Sequence, residues 1–196
     1  MTLSKAQIFN ITLNILGVSM PLENPNGNDN RAILLNNYYE LARDYVLKDH
    51  DWNFASTFKA LTLCEKPPQF IKYKYCYDYP NDCVFAREIM PYANSEIVEF
   101  EVAANVMGNK VINTNLTPAV LRYTRLIENE ALYPAEFVMA LSWYLAFLSA
   151  PSICGNRTIQ SDCLNIYTSM LAKAKALNAS EGYIKNDNSC SWLDVR

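Results

Sequence analysis

Ile71-Lys72-Tyr73-Lys74-Tyr75-Cys76-Tyr77-Asp78 decides the fold class. Every second residue is large and apolar or aromatic, and the positions between them are mostly polar. A period of two places successive side chains on opposite faces of an extended chain, so the run predicts a half-buried β-strand. Working outward, strand-like runs extend from about Thr57 to Leu126, punctuated by Pro67-Pro68, Pro80-Asn81, Pro91 and Gly108-Asn109. Ile97 to Val102 and Lys110 to Asn113 flank Gly108-Asn109 as the arms of a hairpin, and Val120 to Arg125 reads as a closing strand.

On both sides of this region the period lengthens to that of a helix. Towards the N-terminus, Ser4 followed by Gln7 is a capping box. Ile8, Ile11 and Ile15 recur at helical spacing with Phe9, Leu13 and Leu16, and Gly17 is a natural stop. After a turn-rich loop from Pro21 to Asn28, a second helix is predicted from near Asp29 to Asp49. Its stripe is Leu34, Tyr38, Leu41 and Tyr45, with Ile33 and Ala42 alongside, and with the first helix it forms an αα-hairpin. Towards the C-terminus, Pro134 fits the first position of a helix that is apolar nearly all round to Ala150 and stops before Pro151. Asn156 caps the last long helix, with the stripe Ile159, Cys163, Ile166, Met170 and Ala174, and with Lys173 and Lys175 near its C-terminus.

The predicted class is α+β: an antiparallel helical bundle of two helix pairs with an inserted β-rich segment and an extended C-terminal tail. Residues 1–56 and 127–179 form the helical scaffold, 57–126 the insertion and 180–196 the tail.

The chain of 196 residues is 51% hydrophobic and 19% charged, which excludes a disordered chain and allows one sizeable core. The formal net charge of -3 supplies no global basic field for DNA or an anionic membrane. Met1 to Gly17 lacks the basic cap and solid apolar run of a secretory signal. Phe137 to Ala150 falls short of the roughly 20 residues of a membrane helix. A cytosol-like compartment is therefore expected, with reduced, mostly buried thiols at Cys64, Cys76, Cys83, Cys154, Cys163 and Cys190.

Candidate chemistry weighs against catalysis. His50 stands alone at a predicted helix end, where a histidine favours the dipole, and no serine or cysteine motif accompanies it for a triad. Cys76 and Cys83 bracket a Pro-Asn-Asp turn without the second ligand pair that zinc needs. Glu96, Glu99 and Glu101 read as a solvated acidic strand, and five glycines supply no phosphate loop. The Lys72-Tyr73-Lys74-Tyr75 run could stack single-stranded nucleic acid, but regular alternation favours tyrosines inward and lysines in water. Trp52 and Phe54 are expected to plug the junction between helix and sheet. The tail residues Trp192, Leu193, Asp194, Val195 and Arg196 are the predicted partner-binding site, because three apolar residues within four positions at a polar chain end resemble a docking anchor.

In their order and spacing these segments resemble the tail tubular protein A family, the head-to-tail adaptors of short-tailed bacteriophages. The likeness runs from roughly Leu3 to Leu177. It rests on the opening helix with Leu13, Ile15, Leu16 and Gly17, and on Asp51-Trp52-Asn53-Phe54-Ala55. It continues in Tyr77-Asp78-Tyr79-Pro80-Asn81-Asp82-Cys83, where Tyr79 replaces the family's usual leucine, in Val120 to Tyr123, and in Tyr133-Pro134-Ala135-Glu136-Phe137. The resemblance implies a non-enzymatic ring, dodecameric in the family, that docks under a portal protein and accepts a tail nozzle protein. It implies neighbouring copies as partners, double-stranded DNA passing through the lumen without sequence recognition, no cofactor, no membrane, and a place in the virion neck after assembly in the host cytoplasm. A mildly acidic adaptor would let DNA slide, since grip comes from phosphate neutralisation. The competing expectation is a cellular helical binding or regulatory protein without catalytic activity.

Overall fold

The computed structural model describes residues 4–65, 72–91 and 98–180. It is a mixed α+β fold of four helices and two small antiparallel three-stranded sheets.

Helix α1 spans Lys5–Ile15, with Ser4 as N-cap and both hydrogen bonds of the capping box to Gln7. It ends where Gly17 takes φ 78°, a left-handed turn that costs glycine nothing. Helix α2, Asn30–Asp49, is capped by Asp29, whose carboxylate accepts from the Arg31 amide at 2.8 Å. Both starts lie where the sequence signals put them.

The buried stripe of α2 does not. Ala32, Leu35, Tyr39, Ala42 and Val46 face the core. Ile33, Leu41 and Tyr45 are 48%, 61% and 46% exposed, and Leu34 and Tyr38 are half-buried. α2 carries two adjacent apolar stripes at the same spacing, one residue apart around the helix. The inner stripe prevails because Ala32 and Ala42 allow close approach, and because the Tyr39 hydroxyl reaches a Glu130 carboxylate oxygen at 3.2 Å.

Helix α3 spans Ala135–Ile153 and is the element on which α1, α2 and α4 (Arg157–Ser180) all pack. α1 and α2 touch through the edge-to-face pair Phe9–Tyr39, but each packs on α3 far more than on the other, so the expected αα-hairpin is held together through α3. Pro134 is the N-cap of α3 rather than its first residue, and the helix continues through Pro151 to Ile153. At 19 residues α3 is long and apolar enough to cross a membrane, so the shorter length read from Phe137–Ala150 is corrected. Its apolarity is matched by packing on three neighbouring helices.

Pro151 cannot donate to the Phe147 carbonyl one turn earlier. The Gln160 side chain, from α4, supplies the missing donor at 3.4 Å. Gln160→Ala is expected to cost about 1 kcal/mol. The same change in a Pro151→Ala background, where the backbone amide serves Phe147, should cost markedly less. A double-mutant cycle by urea denaturation reads the difference, and equal costs would refute the pairing.

α4 starts beyond Asn156, whose side chain accepts from the Thr158 amide at 2.9 Å, as the cap reading required. Its buried line is Cys163, Tyr167, Leu171 and Ala174. Ile159, Ile166 and Met170 are only half-buried, so the predicted stripe is turned towards Tyr167 and Leu171.

Among the described residues, six strands lie between the second and third helices: β1 Ser56–Ala60, β2 Tyr75–Asp78, β3 Cys83–Pro91, β4 Phe100–Ala104, β5 Lys110–Thr114 and β6 Ala119–Arg125. One sheet has the order β1-β6-β3 and the other β2-β5-β4. Isolated bridges Leu63–Tyr77 and Ile89–Val98 link the two sheets at their edges. β6 is therefore the central strand of its sheet and not a closing edge. The β4–β5 connection is a five-residue loop in which the Asn105 side chain accepts from the amides of Met107 and Asn109 and Gly108 takes φ 81°, not a two-residue turn on Gly108-Asn109. Tyr73 and Tyr77 point inward and Lys72 and Lys74 outward, as the alternation predicted. Cys76 is also buried, with its thiol against the Cys64 sulfur of the neighbouring segment. Ile71, Glu96 and Ile97 lie outside the described residues.

Two main cores result. One gathers the inner faces of the helices with Trp52 and Tyr133. The other fills the space between the sheets with Tyr77, Ile89, Ile112, Leu121 and Tyr123.

Candidate interaction surface

The helical and sheet cores meet at an aromatic and ionic joint. Trp52 and Phe54 leave the end of α2, and Tyr133 and Phe137 enter α3. Phe137 stands edge-on to Trp52 at 5.2 Å, to Phe54 at 5.1 Å and to Tyr133 at 4.7 Å. The Trp52 indole N–H donates to the Val46 carbonyl at 2.8 Å. The plug expected of Trp52 and Phe54 is thus real, but it seals α2 to α3 more than to a sheet.

The sheet side is held by Arg87. In β3, Ala86 pairs with Tyr123 and Glu88 with Arg122, so Arg87 is the extra residue of a β-bulge. A bulge re-aims the side chain it carries. Arg87 donates to the carbonyls of Leu47, Lys48 and His50 at 3.3, 2.9 and 2.7 Å, and to the Thr124 hydroxyl at 2.9 Å. It thereby satisfies carbonyls that the end of α2 leaves without helical partners. Beside it, Arg122 bridges Asp51 and Glu88.

His50 is the C-cap of α2. Burial first, then Lys175, pushes its imidazole below the ordinary 6.5, so the neutral ring is favoured and the proposed cation at the helix end is not. The sign follows directly. Below pH 6.5 the unfolded chain takes up a proton that the folded ring resists, so stability falls as pH drops from 6.5 towards the depressed folded value. Melting temperature against pH should show this loss, and His50→Gln should flatten it. An unchanged slope in the variant would refute the assignment.

Along α2 runs the outer stripe of Ile33, Leu34, Tyr38, Leu41 and Tyr45. It leads into a group of tyrosines. Tyr45 stacks flat on Tyr144 with centroids 4.4 Å apart, Tyr144 lies 5.0 Å from Tyr167, and the Tyr167 hydroxyl donates to an Asp49 carboxylate oxygen at 2.7 Å. An open cleft of about 310 Å³ lined by Tyr45, Lys48, Asp49 and Phe85 closes the row. The cations of Lys48 and Arg87 sit over the Phe85 ring at 5.6 and 4.5 Å. Exposed tyrosine and aliphatic side chains in one strip suit a candidate protein contact surface.

Other tyrosines serve the core. Tyr77 donates to the Leu116 carbonyl, Tyr123 to Asp82 and Tyr133 to the Ile127 carbonyl, at 2.9, 3.0 and 2.8 Å. Burial pushes the Tyr123 and Tyr133 phenols up to about 12, so they stay neutral donors.

Of the remaining predicted candidates, Lys72 pairs with Glu99 across the surface and lies over the Tyr73 ring. Cys76 meets Cys64 rather than Cys83. Among the described residues, no group of three or more His, Cys, Asp or Glu is placed to hold a metal ion. Trp192, Leu193, Asp194, Val195 and Arg196 lie outside the described residues. Sequence reasoning missed Arg87, Phe85, Tyr144 and Tyr167. Phe85 and Arg87 stand two apart, which marks a shared strand face, but nothing in the sequence announced the bulge. Compared with models of known protein families and with curated proteins, the chain matches none.

Proposed function

We propose that this chain is a structural subunit of a bacteriophage head-to-tail adaptor ring, joining a portal protein to a tail nozzle around the DNA passage. Its mechanism is geometric. An antiparallel bundle of two helix pairs forms the rigid body, and the strand region and the C-terminal tail reach partners above and below. One heterologous contact, repeated around an axis, closes the ring. Duplex DNA passes through the lumen without being read, and the assembled particle is a virion neck.

The observation that carries the reading is the second apolar stripe of α2. That helix already commits Ala32, Leu35, Tyr39 and Val46 to the core, yet Ile33, Leu41 and Tyr45 present a further row to solvent. Such a row on a helix anchored by α3 and Arg87 suits a rigid side-to-side contact, which loses little freedom on binding. The segments that carry the family likeness support it from another side. Trp52, Phe54, Tyr133 and Phe137 come together in one joint, and Asp82 meets Tyr123.

Mixing the purified chain with a cognate portal protein, followed by native mass spectrometry and negative-stain microscopy, tests the reading. The expected result is a portal ring bearing about twelve copies of the chain. Ile33→Lys combined with Leu41→Glu should leave the subunit folded and abolish ring closure. Deleting residues 189–196 should leave it folded and weaken portal binding. A wild-type chain that stays monomeric beside the portal, as a cellular binding protein would, sinks the proposal.

A further inference from the structure

Residues 61–64 carry the chain from one sheet to the other. The Leu61 amide still donates to Ala119 of the first sheet at 2.9 Å. The Asp78 amide then donates to the Thr62 carbonyl at 2.9 Å, Leu63 bridges Tyr77, and the Cys64 amide donates to the Cys76 carbonyl at 2.8 Å. This crossing is one of two seams along which the first sheet joins the second. At its end Cys64 and Cys76 stand directly opposite each other.

Directly opposed residues of antiparallel strands hold their Cβ atoms roughly 4.5–5.5 Å apart, close to the spacing that a disulfide spans. Here the Cys76 thiol already donates to the Cys64 sulfur, with the two Sγ atoms 2.9 Å apart. About 1 Å of approach separates this contact from a covalent bond. The two sulfurs differ in access. Cys76 is 7% exposed, whereas Cys64 is partly exposed and has the Asp78 carboxylate 3.5 Å from its sulfur.

We propose that Cys64 and Cys76 are a paired oxidation site, at which a hydroperoxide first meets Cys64 and Cys76 then closes a disulfide across the seam. In the first step the Cys64 thiolate attacks one peroxide oxygen. The O–O bond breaks, hydroxide leaves, and Cys64 becomes a sulfenic acid. In the second, the Cys76 sulfur attacks the Cys64 sulfur. An S–S bond forms, the S–O bond breaks, and the oxygen leaves as water. Two thiols are oxidised to one disulfide, and one peroxide is reduced to two waters when hydrogen peroxide is used. Burial, then the hydrogen bond with Cys76 and the Asp78 carboxylate, holds the Cys64 thiol above the usual thiol range. The first step is therefore slow at neutral pH and quickens with alkalinity.

The test uses the full chain and hydrogen peroxide, with digestion under non-reducing conditions and mass spectrometry. The expected product is a peptide pair joined through Cys64 and Cys76, formed ahead of any pair involving Cys83, Cys154, Cys163 or Cys190. Its rate should rise about tenfold per pH unit between pH 7 and 9. In the oxidised chain the Cys64 and Asp78 amides should exchange hydrogen about tenfold more slowly, as the seam opens less often. In Cys76→Ser the reaction should stop at the sulfenic acid, which dimedone traps, while the wild type gives little adduct. The wild-type map decides the matter even if that variant folds poorly. Full alkylation of both thiols after peroxide, an earlier disulfide elsewhere, or equal dimedone adducts in wild type and variant would overturn the proposal.

Discussion

Phe137→Ala should destabilise the chain by about 3–5 kcal/mol, the cost of a cavity where a fully buried ring stood. Phe137 has no exposed surface and touches three other rings, Trp52, Phe54 and Tyr133. Truncation removes its transfer energy and three edge-to-face contacts at once, and the space cannot collapse easily. Trp52 is tied to the Val46 carbonyl and Tyr133 to the Ile127 carbonyl, so neither can swing in to fill it. For a chain of this length the loss corresponds to a fall in melting temperature of roughly 10 °C. Phe137→Leu should recover more than half, since it keeps most of the volume. Thermal denaturation followed by circular dichroism decides it. A fall of only a degree or two for the alanine variant would mean that the joint repacks.

Arg87→Ala should cost about 2–3 kcal/mol, for a reason opposite in kind. No large apolar volume is lost. Instead the carbonyls of Leu47, Lys48 and His50 and the buried Thr124 hydroxyl lose a shared donor, and unpaired polar groups in a partly buried setting are expensive. Arg87→Lys is expected to lose nearly as much, because an ammonium cannot reach a helix end and a strand hydroxyl together as a planar fork does. Urea denaturation gives the magnitude. Hydrogen exchange gives the place: amides in the last turn of α2 should exchange faster, with those of α1 unaffected. Uniform exchange changes across all helices would instead mark Arg87 as a general stabiliser and not the clasp between α2 and β3.

Helix starts were legible in the sequence because caps are local. Ser4 with Gln7, Asp29 and Asn156 each satisfy amides within three residues, and no distant part of the chain can alter that arithmetic. The strand region was legible for a similar reason, since alternation records a face that must be buried. What could not be read was the choice between two equally spaced stripes on α2. Leu34, Tyr38, Leu41 and Tyr45 make as regular a row as Leu35, Tyr39, Ala42 and Val46. The inner row is set by α3, far away in sequence. Pro151 misled for the same reason: its missing donor is replaced by Gln160 from another helix, so the helix did not have to stop.

The candidate contact surface was legible only as composition. Tyrosine abundance is visible in the sequence, but which tyrosines bury their hydroxyls on Leu116, Asp82 and Ile127, and which stack on the surface at Tyr45 and Tyr144, depends on the assembled fold. By itself the sequence determined the α+β class, the helix caps, the inward Tyr73 and Tyr77 and the all-round apolarity of the third helix. These follow from periodicity and from hydrogen bonds that close within a turn or a pleat. Tertiary structure alone decided the outward stripe of α2, the bulge that aims Arg87 at a helix end, the linking of the two sheets and the meeting of Cys64 with Cys76. Each of these depends on contacts beyond a single turn or pleat, and such contacts are selected by packing as a whole, not by any local preference.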